Sequence, residues 1–133
     1  MAPIIRTVAA ALRQKYSAVA CVGFCYGAKG TVDAMKSGDI TTIVCFHPSR
    51  LEAADAPALK GKGKSLWQIP ETDNRFDPIR AIFEKELSGE EGVKFNTYMG
   101  CTHGFGSRPH GENELAGKTQ AHLDVIEWLG ANF

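Results

Sequence analysis

The chain has 133 residues, of which 44% are hydrophobic and 23% charged, proportions that are ordinary for one globular domain. Lys plus Arg equals Asp plus Glu at 15 each, so no basic field predicts binding to nucleic acid or to a membrane surface. No apolar run approaches the ~20 residues that a membrane span needs. We therefore expect one domain over residues 1–133, with neither nucleic acid nor membrane as a partner.

The first residues and the cysteines predict a cytoplasmic location. Residues 1–7 lack the charged and then apolar layout of a signal peptide. The four cysteines, at positions 21, 25, 45 and 101, do not have the spacing of a disulfide scaffold. Three of them lie in or beside apolar strand-like segments, which suits buried and reduced thiols in a cytosolic protein.

Apolar periodicity predicts four strands that alternate with helices. Taken in chain order, the expected elements are a helix over 4–16, a strand over 18–24, a helix over 26–36, strands over 40–46 and 65–69, a helix from 77 to about 87, a strand over 93–98 and a helix over 114–129. Strands alternating with helices form parallel βα units with right-handed crossovers. The predicted fold class is α/β, a three-layer parallel sheet of about four strands.

The junction of the first strand with the second helix has the pattern of a nucleophile elbow. The apolar run ends in Gly-Phe-Cys-Tyr-Gly, so Cys25 stands where such an elbow carries its nucleophile. Gly23 and Gly27 lack Cβ atoms, which lets strand and helix approach closely on either side. The helix that follows points its positive end at the sulfur, which favours a thiolate. The Tyr26 backbone N–H would then be one oxyanion donor.

Two later loops could supply the other members of a catalytic triad. His103 lies in a glycine-rich loop after the fourth strand, and an acidic loop follows the third strand. The chain order of nucleophile, acid and histidine is that of α/β-hydrolases. In the acidic loop we favour Asp73, because Asp77 before Pro78 is explained as a helix cap. Asp77 stays an alternative acid, and Glu71 is a more distant third.

Three motifs carry a resemblance to a known family. They are Gly-Phe-Cys-Tyr-Gly-Ala-Lys at 23–29, Thr-Asp-Asn-Arg-Phe-Asp-Pro at 72–78 and His-Gly-Phe-Gly-Ser-Arg-Pro at 103–109. Together they resemble a fungal-type dienelactone hydrolase, over nearly all of this chain but only the C-terminal half of that α/β-hydrolase domain. The resemblance implies lactone opening of the carboxymethylenebutenolidase type. It also implies Cys25 as nucleophile, His103 as base, Asp73 as orienting acid and Arg108 as the group that holds a substrate carboxylate.

The half of the family domain that the chain does not match has consequences for function. By the resemblance, that half supplies a second oxyanion amide, a Glu beside the thiol and a second substrate arginine, and no segment here matches them. It also supplies the neighbour of the elbow strand, so we expect an uncovered sheet edge and a homodimer that covers it. The alternative cover is the chain's own N-terminal helix, within residues 1–16. The function predicted is a cysteine-dependent hydrolase of a small ester or lactone. The alternative is a non-catalytic or truncated half-domain that acts in binding or assembly.

No cofactor and no metal are expected. Cys21 and Cys25 have the spacing C-x3-C along one strand, where neighbouring ligands do not converge as they do in a C-x2-C turn. Cys45 and His47 end the strand next to the elbow and could line the same pocket. Core and loop packing is the interpretation that we favour for both of them.

Overall fold

The computed structural model describes residues 2–133, as a parallel sheet flanked by helices. The elements are α1 (Ala2–Arg13), β1 (Cys21–Phe24), α2 (Tyr26–Lys36), β2 (Thr42–Phe46), α3 (Asp55–Ala58), β3 (Lys64–Pro70), α4 (Asp77–Leu87), β4 (Val93–Tyr98) and α5 (Gly111–Asn132). Every predicted strand and helix is present, with ends displaced by up to three residues. None of the helices in this range is long and apolar enough to cross a membrane.

The sheet has the order β1-β2-β3-β4, and each neighbouring pair is parallel. The register places Gly23 opposite Cys45, Cys45 opposite Trp67 and Trp67 opposite Phe95. The expected fold class, α/β with a parallel sheet of four strands, is confirmed. Because the strands run in one direction, the residues that follow them all emerge at the same edge of the sheet.

Helices cover both faces of the sheet, which makes three layers. Side chains alternate along each strand, so Ile43 and Trp67 point into a core shared with α1, α2, α3 and α4. Val44, Phe46 and Leu66 point the other way, into a second core closed by Trp128 of α5. The central strand β2 reads as a continuous apolar run because both of its faces are buried.

The edge position of β1 agrees with the expectation for the elbow strand. Within the part of the chain that the structure describes, β1 pairs with β2 alone. Val22 on this strand remains 41% exposed. The nearby helix α1 buries Ala9 but leaves Ile4 and Val8 exposed. This side of the molecule therefore presents both unpaired strand backbone and apolar surface.

The short helix α3 was not predicted, because four residues are too few to show a helical period. A buried carboxylate attaches it to α2. Asp55 is 3% exposed, and it accepts hydrogen bonds from the Lys36 ammonium at 2.7 Å and from the Glu52 backbone N–H at 2.8 Å. Burial raises the pKa of Asp55, but these hydrogen bonds and the charge of Lys29 outweigh it, and the pKa lies below its ordinary value.

Candidate active site

Four polar side chains meet at the carboxyl edge of the sheet, each in the connection that follows a different strand. Cys25 follows β1, His47 follows β2, Asp73 lies three residues beyond β3 and His103 five beyond β4. The sulfur and one ring nitrogen of each histidine lie within 4.8 Å of one another. In open α/β sheets, ligands bind in the crevice outside this edge.

Cys25 occupies the strained turn that the elbow pattern predicts. Its backbone has φ 53° and ψ −121°, between the end of β1 and the first residue of α2. A Cβ on Gly23 would come within 2.7 Å of the Ala28 Cα, so the close approach there requires glycine. A Cβ on Gly27 would meet no atom within 4 Å, so the expected role of Gly27 was wrong. Tyr26 opens α2, and its backbone N–H therefore has no intrahelical acceptor.

The buried carboxylate of Asp73 holds the ring of His103. His103 Nδ1–H donates to Asp73 Oδ2 at 2.7 Å, and the Arg75 backbone N–H donates to Asp73 Oδ1 at 3.0 Å. Asp77, the alternative acid, lies apart from the imidazole and accepts the Asp73 backbone N–H at 2.9 Å. The N-cap of α4 is Phe76 and not Asp77, so the reason given for setting Asp77 aside was wrong. Glu71 accepts a backbone N–H from the loop after β4.

The thiol has a second histidine beside it. His47 Nδ1 lies 3.2 Å from Cys25 Sγ, and the His47 side chain is completely buried. Its other nitrogen, Nε2, has no hydrogen-bond partner among residues 2–133. Burial, reinforced by the charge of His103, lowers the pKa of His47 to about 4, so the ring is neutral at physiological pH. The sequence favoured a packing role, and the position after the strand next to the elbow was the only signal.

The environment of Cys25 holds its sulfur as a thiol at rest. Burial raises the pKa of Cys25 above its ordinary value of 9.0, against the opposing charges of Arg108 and Arg75, and the Asp73 carboxylate raises it further. The expected preference of the helix start for thiolate is thus outweighed. A proton must leave the sulfur before it can act as a nucleophile. Arg108 is exposed in the loop after β4, where its charge reaches both the thiol and His47.

The other three cysteines lie away from this crevice. Cys21 Sγ is 3.3 Å from the Thr31 hydroxyl, while Cys45 and Cys101 are buried in the two cores on opposite faces of the sheet. All four thiols are free. Burial strongly raises the pKa of Cys45, which makes that thiol inert. Cys25 is therefore the thiol that shares a crevice with two histidines.

Comparison with known proteins shows the family of this chain. The profile of the dienelactone hydrolase family matches residues 3–133. The protein belongs to the dienelactone hydrolase family. A curated relative, hydrolase tropI from Talaromyces stipitatus, is 30% identical over 135 residues, which include 96% of this chain and 52% of the relative. The chain thus spans about half the length of the curated relative that it matches.

Solved structures with the same fold are similar over most of this chain. The structure called m3DLH superposes with a TM-score of 0.70 at 18% identity, covering 98% of this chain and 62% of that one. A dienelactone hydrolase-like promiscuous phosphotriesterase from metagenomic libraries superposes with a TM-score of 0.67 at 18% identity, covering 86% and 52%. At these identities the likeness establishes the fold alone.

Proposed function

We propose that this chain is a cysteine-dependent hydrolase of ester or lactone bonds, of the dienelactone hydrolase type, with Cys25, His103 and Asp73 as its triad. The observation that carries the proposal is the 2.7 Å hydrogen bond from His103 to a buried Asp73, beside a cysteine in a strained elbow. Strained backbone at a strand-to-helix turn is a recurrent feature of active sites. The name of the relative from Talaromyces stipitatus supports the same reaction class.

In the proposed mechanism, His103 takes the proton of the Cys25 thiol through its Nε2 atom. Because Nδ1–H is held by Asp73, Nε2 is the free acceptor. The sulfur electron pair attacks the substrate carbonyl carbon, and the carbonyl π electrons move to oxygen. The tetrahedral intermediate then collapses, the C–O bond breaks, and His103 returns its proton to the leaving alkoxide. In a lactone that alkoxide stays attached to the acyl group.

Water completes the proposed cycle by hydrolysing the thioester. His103 accepts a proton from water, the hydroxyl adds to the acyl carbon, and the thiolate leaves and is reprotonated. The Tyr26 backbone N–H is the proposed oxyanion donor from this chain. Loss of one donor costs ~10²–10³ in rate, so we expect slow turnover wherever only this amide faces the oxyanion.

Arg108 is the proposed selectivity residue for substrates that carry a carboxylate. It is exposed at the rim of the crevice, and its charge reaches the thiol. A guanidinium fork matches a carboxylate with two parallel hydrogen bonds. We expect Arg108→Gln to raise KM for a carboxylate-bearing aryl ester while leaving KM for aryl acetate nearly unchanged. An equal rise for both esters would contradict this role.

Hydrolysis of a small aryl ester such as p-nitrophenyl acetate tests the triad. We expect measurable turnover by the full chain, and a loss of ~10²–10⁴ in kcat/KM for His103→Ala, as for the removal of a general base. Cys25→Ser should lose at least as much. The matched control is Cys21→Ser, which changes a thiol that is hydrogen-bonded to the Thr31 hydroxyl, away from the crevice. Turnover by Cys25→Ser equal to that of the control would exclude Cys25 as the nucleophile.

A second candidate, a half-domain that acts in assembly, is favoured by the exposed edge of β1. We propose that residues 1–133 are a single partial domain and that β1, with the exposed apolar residues of α1, forms a homodimer contact. Val22→Lys places a charge on this edge and should turn a dimer mass into a monomer mass in light scattering. A monomer before substitution would refute the dimer. Because four free thiols suit a reducing compartment, we propose a cytoplasmic location.

A further inference from the structure

The cluster of one thiol and two imidazoles is also a set of metal ligands. We propose that Cys25, His47 and His103 bind one divalent transition metal ion of the zinc type, with a fourth coordination position open to solvent. Their donor atoms lie within 4.8 Å of one another. Thiolate and imidazole are the donors that zinc prefers, and three protein ligands with one open position is a common arrangement. This inference does not require the proposed hydrolysis to occur.

The geometry is close to what a tetrahedral ion requires. With Zn–S of about 2.3 Å and Zn–N of about 2.0–2.1 Å, donor atoms around zinc are ~3.4–3.6 Å apart. Cys25 Sγ and His47 Nδ1 are already 3.2 Å apart. The widest separation between donor atoms is at most 4.8 Å. Side-chain rotations that move these atoms about 1 Å closer bring them near the spacing that zinc requires. Cysteine spacing along β1 predicted no metal, whereas this set takes one ligand from beyond each of three strands.

The surroundings of both histidines prepare them as ligands. Asp73 accepts the Nδ1–H of His103, which leaves Nε2 bare and sets up a carboxylate–histidine–metal arrangement. His47 is completely buried beside the sulfur. Its Nε2 atom has no partner in residues 2–133, and its side-chain hydrogen bond is to the sulfur itself. The ring can therefore turn toward an ion at the sulfur without losing a hydrogen bond elsewhere.

Charge balance determines what the fourth position takes. Metal binding forms a metal–sulfur bond, breaks the S–H bond and releases that proton to solvent, so affinity rises with pH. The thiolate and the Asp73 carboxylate together match the two charges of the ion. Arg108 and Arg75 act on the same sulfur, and their positive charges oppose a cation while favouring an anion beside it. We therefore expect hydroxide or chloride in the open position, and tighter metal binding by Arg108→Gln.

Metal titration of the reduced, metal-free full chain tests the site without any substrate. With Co²⁺ as the probe we expect one ion per chain, a thiolate-to-cobalt charge-transfer band and proton release. Zn²⁺ should displace cobalt and protect Cys25 from iodoacetamide. Cys25→Ser should lose the band, and Asp73→Asn should weaken binding ~10–100-fold. His47→Asn, which suits the positive φ of 34° at this position, should weaken it at least as much.

The matched controls are Cys21→Ser and His110→Gln, which alter a thiol and an imidazole outside the cluster and should leave affinity unchanged. Circular dichroism and a cooperative thermal melt of metal-free His47→Asn establish that this variant keeps the fold. A charge-transfer band that survives in Cys25→Ser, or an affinity indifferent to His47→Asn, would overturn the proposal. Ester hydrolysis measured with a chelator is a separate result: binding without turnover rejects only the hydrolase, and turnover without binding rejects only the metal site.

Discussion

Burial of a neutral histidine at the thiol should make this protein sensitive to mild acid. His47 is fully buried, and burial lowers its pKa to about 4, whereas an exposed histidine titrates near 6.5. Between these two values the unfolded chain binds a proton at this position and the folded chain does not. Stability from this group is therefore complete above pH 6.5 and is lost as the pH falls toward 4. A fall in stability with falling pH is the direction expected for a group whose pKa is lower in the folded chain than in the unfolded chain.

The size of the effect follows from the two pKa values. One pH unit within this window corresponds to about 1.4 kcal/mol, so the loss between about pH 7.5 and about pH 4.5 is ~2.5 kcal/mol. Small domains are stable by only ~5–15 kcal/mol, so the change is a large fraction of the total. With a urea slope of ~1–3 kcal/mol per molar, the unfolding midpoint should fall by roughly 0.8–2.5 M.

Urea unfolding at the two pH values, for the full chain and for His47→Asn, measures this contribution. The difference in unfolding free energy between the two pH values should be smaller in His47→Asn by ~2.5 kcal/mol. His110→Gln is the control, because His110 is exposed and should leave the difference unchanged. Because the two chains are compared over the same pH change, the contributions of the other histidines and of the carboxylates to the unfolding free energy cancel. If His47→Asn loses stability with falling pH as steeply as the unaltered chain, His47 is not held neutral and the reasoning fails.

Three further predictions test the elbow, the triad and the buried acid. Gly23→Ala should destabilise the chain by ~1–3 kcal/mol, because the added Cβ clashes with α2. Gly27→Ala should be neutral or stabilising by up to ~1 kcal/mol. Thermal melts compare the two variants, and equal losses of stability would contradict the close packing of Gly23 against α2. Asp73→Asn should lower kcat of ester hydrolysis far more than it raises KM, and an unchanged kcat would exclude it as the orienting acid. The pKa of Asp55 is lowered from 3.8, so the stability that this carboxylate contributes is complete above about pH 3.8 and is lost as the pH falls through its folded pKa. Asp55→Asn should therefore lose less stability over that acidic range, which an acid titration followed by circular dichroism would show.

Sequence patterns predicted those parts of the molecule that depend on local periodicity and chain order. The strands and the helix after the elbow follow from apolar runs broken by glycine. The meeting of Cys25, Asp73 and His103 follows from parallel topology, because residues beyond the carboxyl ends of neighbouring strands share one edge. Their roles remain proposals. The choice between Asp73 and Asp77 needed the loop conformation, in which the second carboxylate holds the backbone of the first.

Other features depend on contacts that no pattern records. Gly23 and Gly27 are equivalent in the motif, yet only one of them packs against a neighbouring backbone. The helix α3 owes its position to the burial of Asp55 against Lys29 and Lys36, which are distant in sequence, and to its hydrogen bond with the nearby Glu52 amide. A lone histidine after a strand is equally compatible with packing or with a site. For His47, the observation that favours a site over packing is the 3.2 Å distance between its Nδ1 atom and Cys25 Sγ.

The strained turn that holds the proposed nucleophile is connected to the exposed edge of β1 through backbone hydrogen bonds. Positive φ values at Cys25, His47 and Arg50 store strain of ~1–3 kcal/mol each. Backbone hydrogen bonds to the end of β2 and to the loop after it hold this turn: the Cys25 N–H donates to Phe46 O at 3.1 Å, and the Ser49 N–H donates to Cys25 O at 3.2 Å. The strained Cys25 therefore lies at the end of a strand that, among residues 2–133, is paired on one side only. Whatever chain covers the free side of β1 stabilises the strand, and through it the position of the sulfur.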